Sequence, residues 1–504
     1  MKNFRKLLCT VLAITLLLCI PSFSYAAEQV TDTGYRYIAD SAKKTAQIIG
    51  YTGTAHVLTI PDKIDGYTVT SIKSDAFKDC KTILSVTIPD TVTTIGSECF
   101  CGCTLLGTIN LGKGVSSVGS KAFSGCTALT AVSVPAAVTV IGDNAFFDCP
   151  LLPRIEVSTD NVSYKSVDGI LYNKAGTRMI VYPAAHAGTS YNVPSGVTQI
   201  DDYAFYASKA LKVVSLPSSV SSVGKAVFKN CSALTQASLA ADMKIKKIED
   251  EFFSGCKKLS ALSIPSAVTA IGDKAFYGCA AIPLLAIPDT VTTVGSAAFA
   301  NCSGMKSVTI GKGVTAVSGS AFTGCTALTE YKLASGASYS VDDGVLFNKD
   351  GTRLIAYPAG KAAESYTVGD KVTTIGANAF DSCKNLKKLN IPASVKTIVK
   401  PAVTNCTATV IYADKDSEAY KYFKANTDGY ASLNNEGAAK PGDVNGDDAV
   451  DNADVILVRR YVAKWKNVKV NTEAADVNAD DTVDNADVIL LRRYVAGWKN
   501  ITLK

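Results

Sequence analysis

The chain has 504 residues, 47% of them hydrophobic and 19% charged, and a formal net charge of +6, half of it from Lys2, Arg5 and Lys6. So even a balance excludes the electrostatic footprint of a nucleic-acid or membrane-surface protein, and the supply of Val, Ile, Leu and Ala excludes wholesale disorder. Only two histidines occur, His56 and His186, so catalysis by a histidine base has few places to reside.

Residues 1–26 read as an export signal. A basic start precedes the apolar run from Leu7 to Ile20, and Ser24-Tyr25-Ala26 offers small residues where a signal peptidase reads. The run is shorter than the ~20 residues that span a bilayer, and Pro21 follows it. The expectation is a secreted, extracellular protein with no membrane span after cleavage. Residues 27–79 then supply a cap and the first repeat, with strands at Gly34–Ile38 and Thr45–Tyr51 covering an exposed sheet edge.

From residue 80 to 412 the cysteines mark a ruler. Cys80, Cys103, Cys126 and Cys149 are 23 apart, as are Cys256, Cys279, Cys302 and Cys325, and Cys383 and Cys406; Cys231 stands 25 before Cys256, and Ser208 fills the place 23 before Cys231. Three residues before each mark sits a phenylalanine, as at Phe100, Phe123 and Phe276, until Val403 takes that place in the last repeat. Within a repeat such as Leu129 to Phe146, Leu129, Val132 and Val134 line a short strand, Pro135 turns the chain, Val138 and Ile141 give a second apolar edge, and Gly142 permits a bend. No such unit buries its apolar side alone, so the pattern predicts a solenoid whose stacked coils share one core. Stacking would set neighbouring thiols within the Cα reach of a disulfide, about 5 Å, but parallel side chains suit the torsion poorly; they read as buried, weakly hydrogen-bonding small hydrophobes. The cluster Cys99, Cys101 and Cys103 has no histidine nearby and is not read as a zinc site.

The signature I-P-x-x-V-x-x-I-G-x-x-A-F-x-x-C, nearly intact at Ile88 to Cys103 and Ile264 to Cys279, resembles the BspA-like leucine-rich repeats of bacteria. That resemblance implies a mainly β, leucine-rich-repeat solenoid, and it implies surface-exposed or secreted binding proteins with diverse ligands.

Two insertions, near 160–190 and 335–365, interrupt the count with matching segments that begin V-D-G-I-L-Y-N-K at Val167 and V-D-D-G-V-L-F-N-K at Val341; Gly169 and Gly344 are 175 apart, as from a duplicated block. Each reads as a hairpin, in the first copy Ile170 to Asn173 and Thr177 to Tyr182. Tyr172, Tyr182, Phe347 and Tyr357 either stack on sugars or cover the hairpin's own core. Solvent-facing strand positions carry small and hydroxylic residues such as Thr130, Ala131 and Ser133, a flat surface suited to a protein or glycan. Neither a pair of flanking carboxylates nor a nucleophile elbow is recognisable, so no catalytic residue is assigned. Val410 to Tyr412 forms a last strand, residues 413–425 a capping helix begun by Ser417, and residues 426–440 a linker.

Residues 441–504 carry the most specific chemistry. Asp443, Asn445, Asp447, Asp451 and Asp454 occupy loop positions 1, 3, 5, 9 and 12, with Ala449 at position 7 able to offer its carbonyl; Asp476, Asn478, Asp480, Thr482 (carbonyl), Asp484 and Asp487 repeat the order. Such an oxygen-only set is that of a calcium loop, hence two Ca2+ ions. Each loop runs into a near-identical helix, V-I-L-V-R-R-Y-V-A-K-W and V-I-L-L-R-R-Y-V-A-G-W. Position 6 is Asp448 or Asp481 where such loops want glycine for a sharp turn, and aspartate tolerates that conformation better than most residues.

The tail resembles a type I dockerin, a small all-α module of two loop-helix motifs that plugs a component into a cohesin domain of a scaffoldin. The resemblance implies cohesin contacts from Asn452, Ala453, Ile456, Leu457, Arg459 and Arg460, or from Asn485, Ala486, Ile489, Leu490, Arg492 and Arg493 with the module turned by half a revolution. The reading that results is a secreted, noncatalytic cellulosome component. Its calcium-dependent dockerin holds it to a scaffoldin while its solenoid binds a polysaccharide, a protein or a host surface in support of polysaccharide degradation. The alternatives are a cellulosomal glycoside hydrolase with an unrecognised site, and an adhesin or inhibitor.

Overall fold

A computed structural model describes residues 27–427, 429–435, 441–447, 449–466, 468, 470–499 and 501–503; the export signal expected at 1–26 and the loop residue Asp448 lie outside them. The chain divides into two compact units, to Ala267 and from Val268.

In the first unit the 23-residue count becomes one coil of a β-solenoid. Strand Ala131–Val134 lies parallel to Thr108–Asn110 and to Ile155–Val157, and the two-residue strand Val140–Ile141 lies parallel to Ser117–Val118. Partners such as Ser117 and Val140 are one repeat apart, so each residue stacks on its own counterpart. Val132 and Val134 point into the core and Ala131 and Ser133 out, the alternation a half-buried strand requires. Outward hydroxyls are partly committed to the array: Thr130 Oγ1 donates to the Gly107 carbonyl at 3.1 Å, and Thr139 Oγ1 to that of Ser116 at 3.3 Å.

Glycine after the second strand is a matter of space. A Cβ on Gly119 would lie 2.4 Å from the Ser97 nitrogen and one on Gly142 2.3 Å from that of Ser120, so the coils approach there too closely for a side chain. The following turn uses left-handed residues on both sides of the aromatic, Lys121 (φ 54°) and Gly125 (φ 71°) around Phe123. That turn drives the ring inward. Phe77, Phe100, Phe123 and Phe146 stack at centroid spacings of 4.9, 5.6 and 5.6 Å, all nearly parallel.

Every described cysteine is a free thiol. The thiols do a directional job: Cys103 Sγ donates to the Phe77 carbonyl at 3.0 Å, Cys126 to that of Phe100 at 3.2 Å, and Cys231 to that of Phe205 at 2.9 Å, each reaching into the preceding coil. Burial pushes the Cys103 and Cys149 thiols up to about 12, which leaves them neutral and unreactive near neutral pH. Ser208, at the seam after the first insertion, instead bonds locally, to the Phe205 carbonyl at 2.8 Å.

The insertion is a three-stranded meander rather than a two-stranded hairpin: Tyr164–Val167, Ile170–Asn173 and Arg178–Val181 are antiparallel, and the last returns to the array parallel to Gln199–Ile200. Tyr182 takes the missing coil's aromatic place, 4.9 Å from Phe205. Tyr172 and Tyr182 are buried, as are Phe347 and Tyr357 in the second copy, so these rings form core and none is free to stack on a sugar. At the N-terminal end, Tyr35–Asp40 and Thr45–Tyr51 pair antiparallel, and the latter joins the array beside Tyr67–Ile72.

The second unit repeats this plan. Strands Leu284–Ala286, Ser307–Ile310 and Glu330–Leu333 form a parallel ladder, and Tyr339–Asp342, Val345–Asn348 and Arg353–Ala356 a second meander. Phe276, Phe299 and Phe322 stack at 5.1 and 5.5 Å. Lys388–Ile391 pairs with Cys406–Ala413, and helix α1 (Glu418–Ala425) follows, its Tyr420 N–H held by the Ser417 hydroxyl. The expected linker at 426–440 is corrected here: Tyr430–Asn435 is a further strand, parallel to Cys406–Ala413. Tyr430 packs edge-on to Phe423 and donates its hydroxyl to the Phe423 carbonyl at 2.5 Å, so α1 and this strand jointly close the open edge.

Candidate metal centre and docking surface

In the tail, the aspartates that open each loop also fold it. Asp443, almost fully buried, accepts from the N–H groups of Gly446 at 2.8 Å and Asp447 at 3.1 Å; Asn445 accepts from Asp447 N–H at 2.9 Å, and Asp447 from Ala449 N–H at 2.9 Å. The second loop repeats the scheme through Asp476, Asn478 and Asp480. Hydrogen bonds from Thr482 and Asn478 hold the Asp480 carboxyl below the usual carboxylate range. Position 4 is left-handed in both loops (Gly446, φ 78°; Ala479, φ 58°), and position 6 of the second is Asp481 at φ 67°; the corresponding Asp448 is not described. Aspartate thus makes the turn that glycine usually makes.

Helix α2 (Asn452–Val462) starts from Asp451, whose carboxylate accepts from Ala453 N–H, and α4 (Asn485–Val495) from Asp484 in the same way, after a short helix α3 (Thr472–Ala475). At position 12, Asp454 is fully buried. One of its oxygens accepts from Val444 and Asn445 N–H at 2.7 and 3.1 Å, and the other from Asp451 N–H at 3.0 Å. Asp487 does the same with Asn478 and Asp484. Neither forms an ion pair among the described residues. Two buried carboxylates without a cationic side chain are costly in a core this small.

This is the observation that tests the site for a metal. The donors are all oxygen, as a hard divalent cation requires, and the buried negative charge wants one. Among the described residues no three acidic, thiol or imidazole side chains already converge on one point; the carboxylates are turned to the loop's own N–H groups. Ala449 and Thr482 lie on the two loops, and the Thr482 hydroxyl donates to the Asp480 carboxylate at 2.6 Å.

The core that α2 and α4 share is Val444, Val455, Val458, Ala475, Val477 and Leu491. Their outer faces carry the residues expected to meet a partner. Asn452, Ala453, Ile456, Arg459 and Arg460 are exposed, as are Asn485, Ala486, Ile489, Arg492 and Arg493, whereas Leu457 and Leu490 are half-buried against the core. Two residues were not foreseen. Trp465 and Trp498 stand about 60% exposed, with the Arg460 and Arg493 guanidinium groups over their rings at 5.3 and 5.4 Å. Their sequence signal is that both tryptophans close the repeated helix segments.

The stacked coils and the two loop-helix motifs define a bacterial-type leucine-rich-repeat solenoid joined to a small docking module. Residues 59–168, 184–285, 246–350 and 356–426 match the BspA type leucine rich repeat region in six copies, and residues 441–496 match the dockerin type I domain. The chain belongs to the BspA-type leucine-rich-repeat family and carries a type I dockerin. Among solved structures it is similar to a leucine rich cell surface protein from Faecalibacterium prausnitzii, at 29% identity over 56% of this chain and 94% of that one, with a TM-score of 0.36. It is also similar to a leucine-rich repeat protein from Eubacterium ventriosum (23% identity, 63% and 99% covered, TM-score 0.46) and one from Bacteroides ovatus (23%, 80% and 99%, TM-score 0.45). No curated protein matches the chain. A type I dockerin implies a cohesin partner and calcium, and the repeats imply a protein-binding role. No described helix is long and apolar enough to cross a membrane.

Proposed function

We propose that this chain is a secreted, noncatalytic component of a cellulosome-type complex, in which the dockerin fixes it to a scaffoldin and the solenoid presents a binding surface. The supporting observation is the pair of buried, cation-free carboxylates Asp454 and Asp487 at the same place in two matching loops. One calcium ion is held by Asp443, Asn445, Asp447, Ala449, Asp451 and Asp454, and a second by Asp476, Asn478, Asp480, Thr482, Asp484 and Asp487. Bound calcium supplies the positive charge that lets these oxygens share a small volume. The protein's part is to hold the loops in their turns and, through the position-12 aspartates, to fix where α2 and α4 begin.

With the helices set, Ile456 or Ile489 forms an apolar contact beside paired arginines, the composition of an interface hot spot. The two faces match in sequence, so either can lead. The solenoid recognises a protein, or a polysaccharide or host surface in support of polysaccharide degradation. The domain bounds read from the sequence are kept in this proposal, with the strand Tyr430–Asn435 assigned to the solenoid's closing edge.

The test is capture of the full chain on a panel of immobilised type I cohesins, with calcium and with a chelator. Calcium-dependent capture by at least one cohesin is expected; capture that survives chelation unchanged removes the reading.

A further inference from the structure

The first insertion leaves a cleft of about 330 Å³ where a coil's turn is missing, open between the turns at residues 141–149 and 199–206. Its walls are of two kinds. Phe147, Tyr203 and Tyr206 form an aromatic group, with Phe147 4.7 and 4.6 Å from the two tyrosine rings. The rest is acidic: Asp143, Asp148, Asp201 and Asp202 line the cleft against one cation, Arg178. Arg178 is already engaged, its Nε donating to Asp201 at 2.7 Å and its Nη2 lying 3.8 Å from Asp143. The lining therefore carries a formal excess of three negative charges.

The second insertion is an internal control. There Arg353 is kept, but Gly319, Gly324, Gly376 and Ala377 stand where the four aspartates stand in the first copy, and Thr323, Asn378 and Asp381 where the aromatics do. The corresponding space has shrunk to about 20 Å³. Gly319 lies so close to the Ala377 carbonyl that a Cβ would be 2.6 Å from it, and Asp381 ties the two turns together by accepting from Gly324 N–H at 2.6 Å. A meander in place of a coil does not by itself make an open site. Residues particular to the first copy do.

We propose that the cleft receives a basic side chain, lysine or arginine, of a protein partner. Its volume is at the low end of ligand sites, about 300 to 1,000 Å³, and suits one side chain better than an extended chain. Carboxylates neutralise the incoming charge while the aromatic faces attract it through their quadrupoles. A neutral sugar would leave the excess charge uncompensated. The assignment deepens the protein-binding reading of the solenoid and rests on it for the class of partner, but not on the dockerin.

The experiment titrates the full chain, with calcium, against an N-acetylated glycine-rich pentapeptide bearing one arginine, and against its citrulline twin, which has the shape without the charge. The arginine peptide should saturate and the citrulline peptide bind roughly tenfold more weakly or worse, as expected from losing both ion pairing and cation–π attraction. Asp143→Asn and Asp202→Asn should each weaken arginine binding several-fold, Phe147→Ala should do so too, and Asp242→Asn, an exposed acid elsewhere on the same unit, should change nothing. Thermal melting checks that each variant stays folded. Equal binding of the two peptides, no binding of either, or insensitivity to both asparagine variants overturns the proposal; so does cellopentaose binding that Phe147→Ala abolishes while the arginine peptide fails. Cohesin capture run on the same samples separates this outcome from the docking reading, since lost capture counts against the dockerin alone. A cleft that fails while the repeats still bind a protein elsewhere leaves the broader solenoid reading standing.

Discussion

In the solenoid, Phe123 lies between Phe100 and Phe146, with 5.6 Å to each and a thiol-to-carbonyl bond from the same turn to the preceding coil. In the tail, six small aliphatic residues form the core, with two fully buried aspartates against it. One region gains stability by adding copies, since every coil covers its neighbour's apolar side. The other has little apolar surface to add, and in the function proposed above its folding is coupled to an ion. The difference teaches where each can be broken.

Removing calcium separates them most sharply. With free ion at ~1,000 times the dissociation constant, each site contributes about 4 kcal/mol, so a chelator should melt the helices of the tail and abolish cohesin capture. The solenoid's β signal in circular dichroism should stay. Phe123→Ala is the converse cut: a buried aromatic lost from a packed core costs about 3 to 5 kcal/mol. Urea melts should show the solenoid destabilised and cohesin capture intact. Asp454→Asn keeps the shape of the side chain and removes one charge, and calcium titration should show one site weakened by about tenfold or more while the other is unchanged. Ser417→Ala removes the α1 cap and should cost about 1 kcal/mol, read as a small shift in the solenoid transition alone. Smallest of all, Ile456→Ala with Arg459→Ala should barely alter capture by a cohesin that accepts either face, whereas adding Ile489→Ala and Arg492→Ala should eliminate it.

Much of this architecture was legible in the sequence, because a solenoid writes its register into its spacing. The 23-residue intervals of phenylalanine and cysteine are the interval between paired residues, and the loop aspartates were readable from oxygen chemistry. Three features were not. Tyr164–Val167, Tyr-Lys-Ser-Val, shows no apolar alternation in its sequence and is fixed as a strand by pairing with Ile170–Asn173. Tyr430–Asn435 has the composition of a loop, and it becomes a strand because the edge of Cys406–Ala413 must be covered. The acidic cleft joins Asp143 to Asp201 across the whole first insertion, on the turn side of the coils, whereas the surface that strand periodicity exposes is the strand face. Contacts made by leaving a coil out have no periodic signature.

The choice of sulfur over oxygen in the repeating turn has a consequence for how such proteins change. A thiol's longer bonds let it span to the coil beneath, and interior coils use it so; Ser208, with its shorter reach, satisfies itself locally, and Cys383 after the second insertion likewise turns to the Asp381 carbonyl at 3.5 Å. Both seams therefore lack the side-chain bond to the preceding coil that interior thiols make, while their backbone still pairs with the insertions, as Asp201 N–H does with the Met179 carbonyl and Gly376 N–H with that of Leu354. They are natural splice junctions, at which evolution or an engineer can exchange one inserted meander for another without orphaning a side chain of the repeating turn, provided the newcomer's last strand restores the backbone pairing that Arg178–Val181 and Arg353–Ala356 supply.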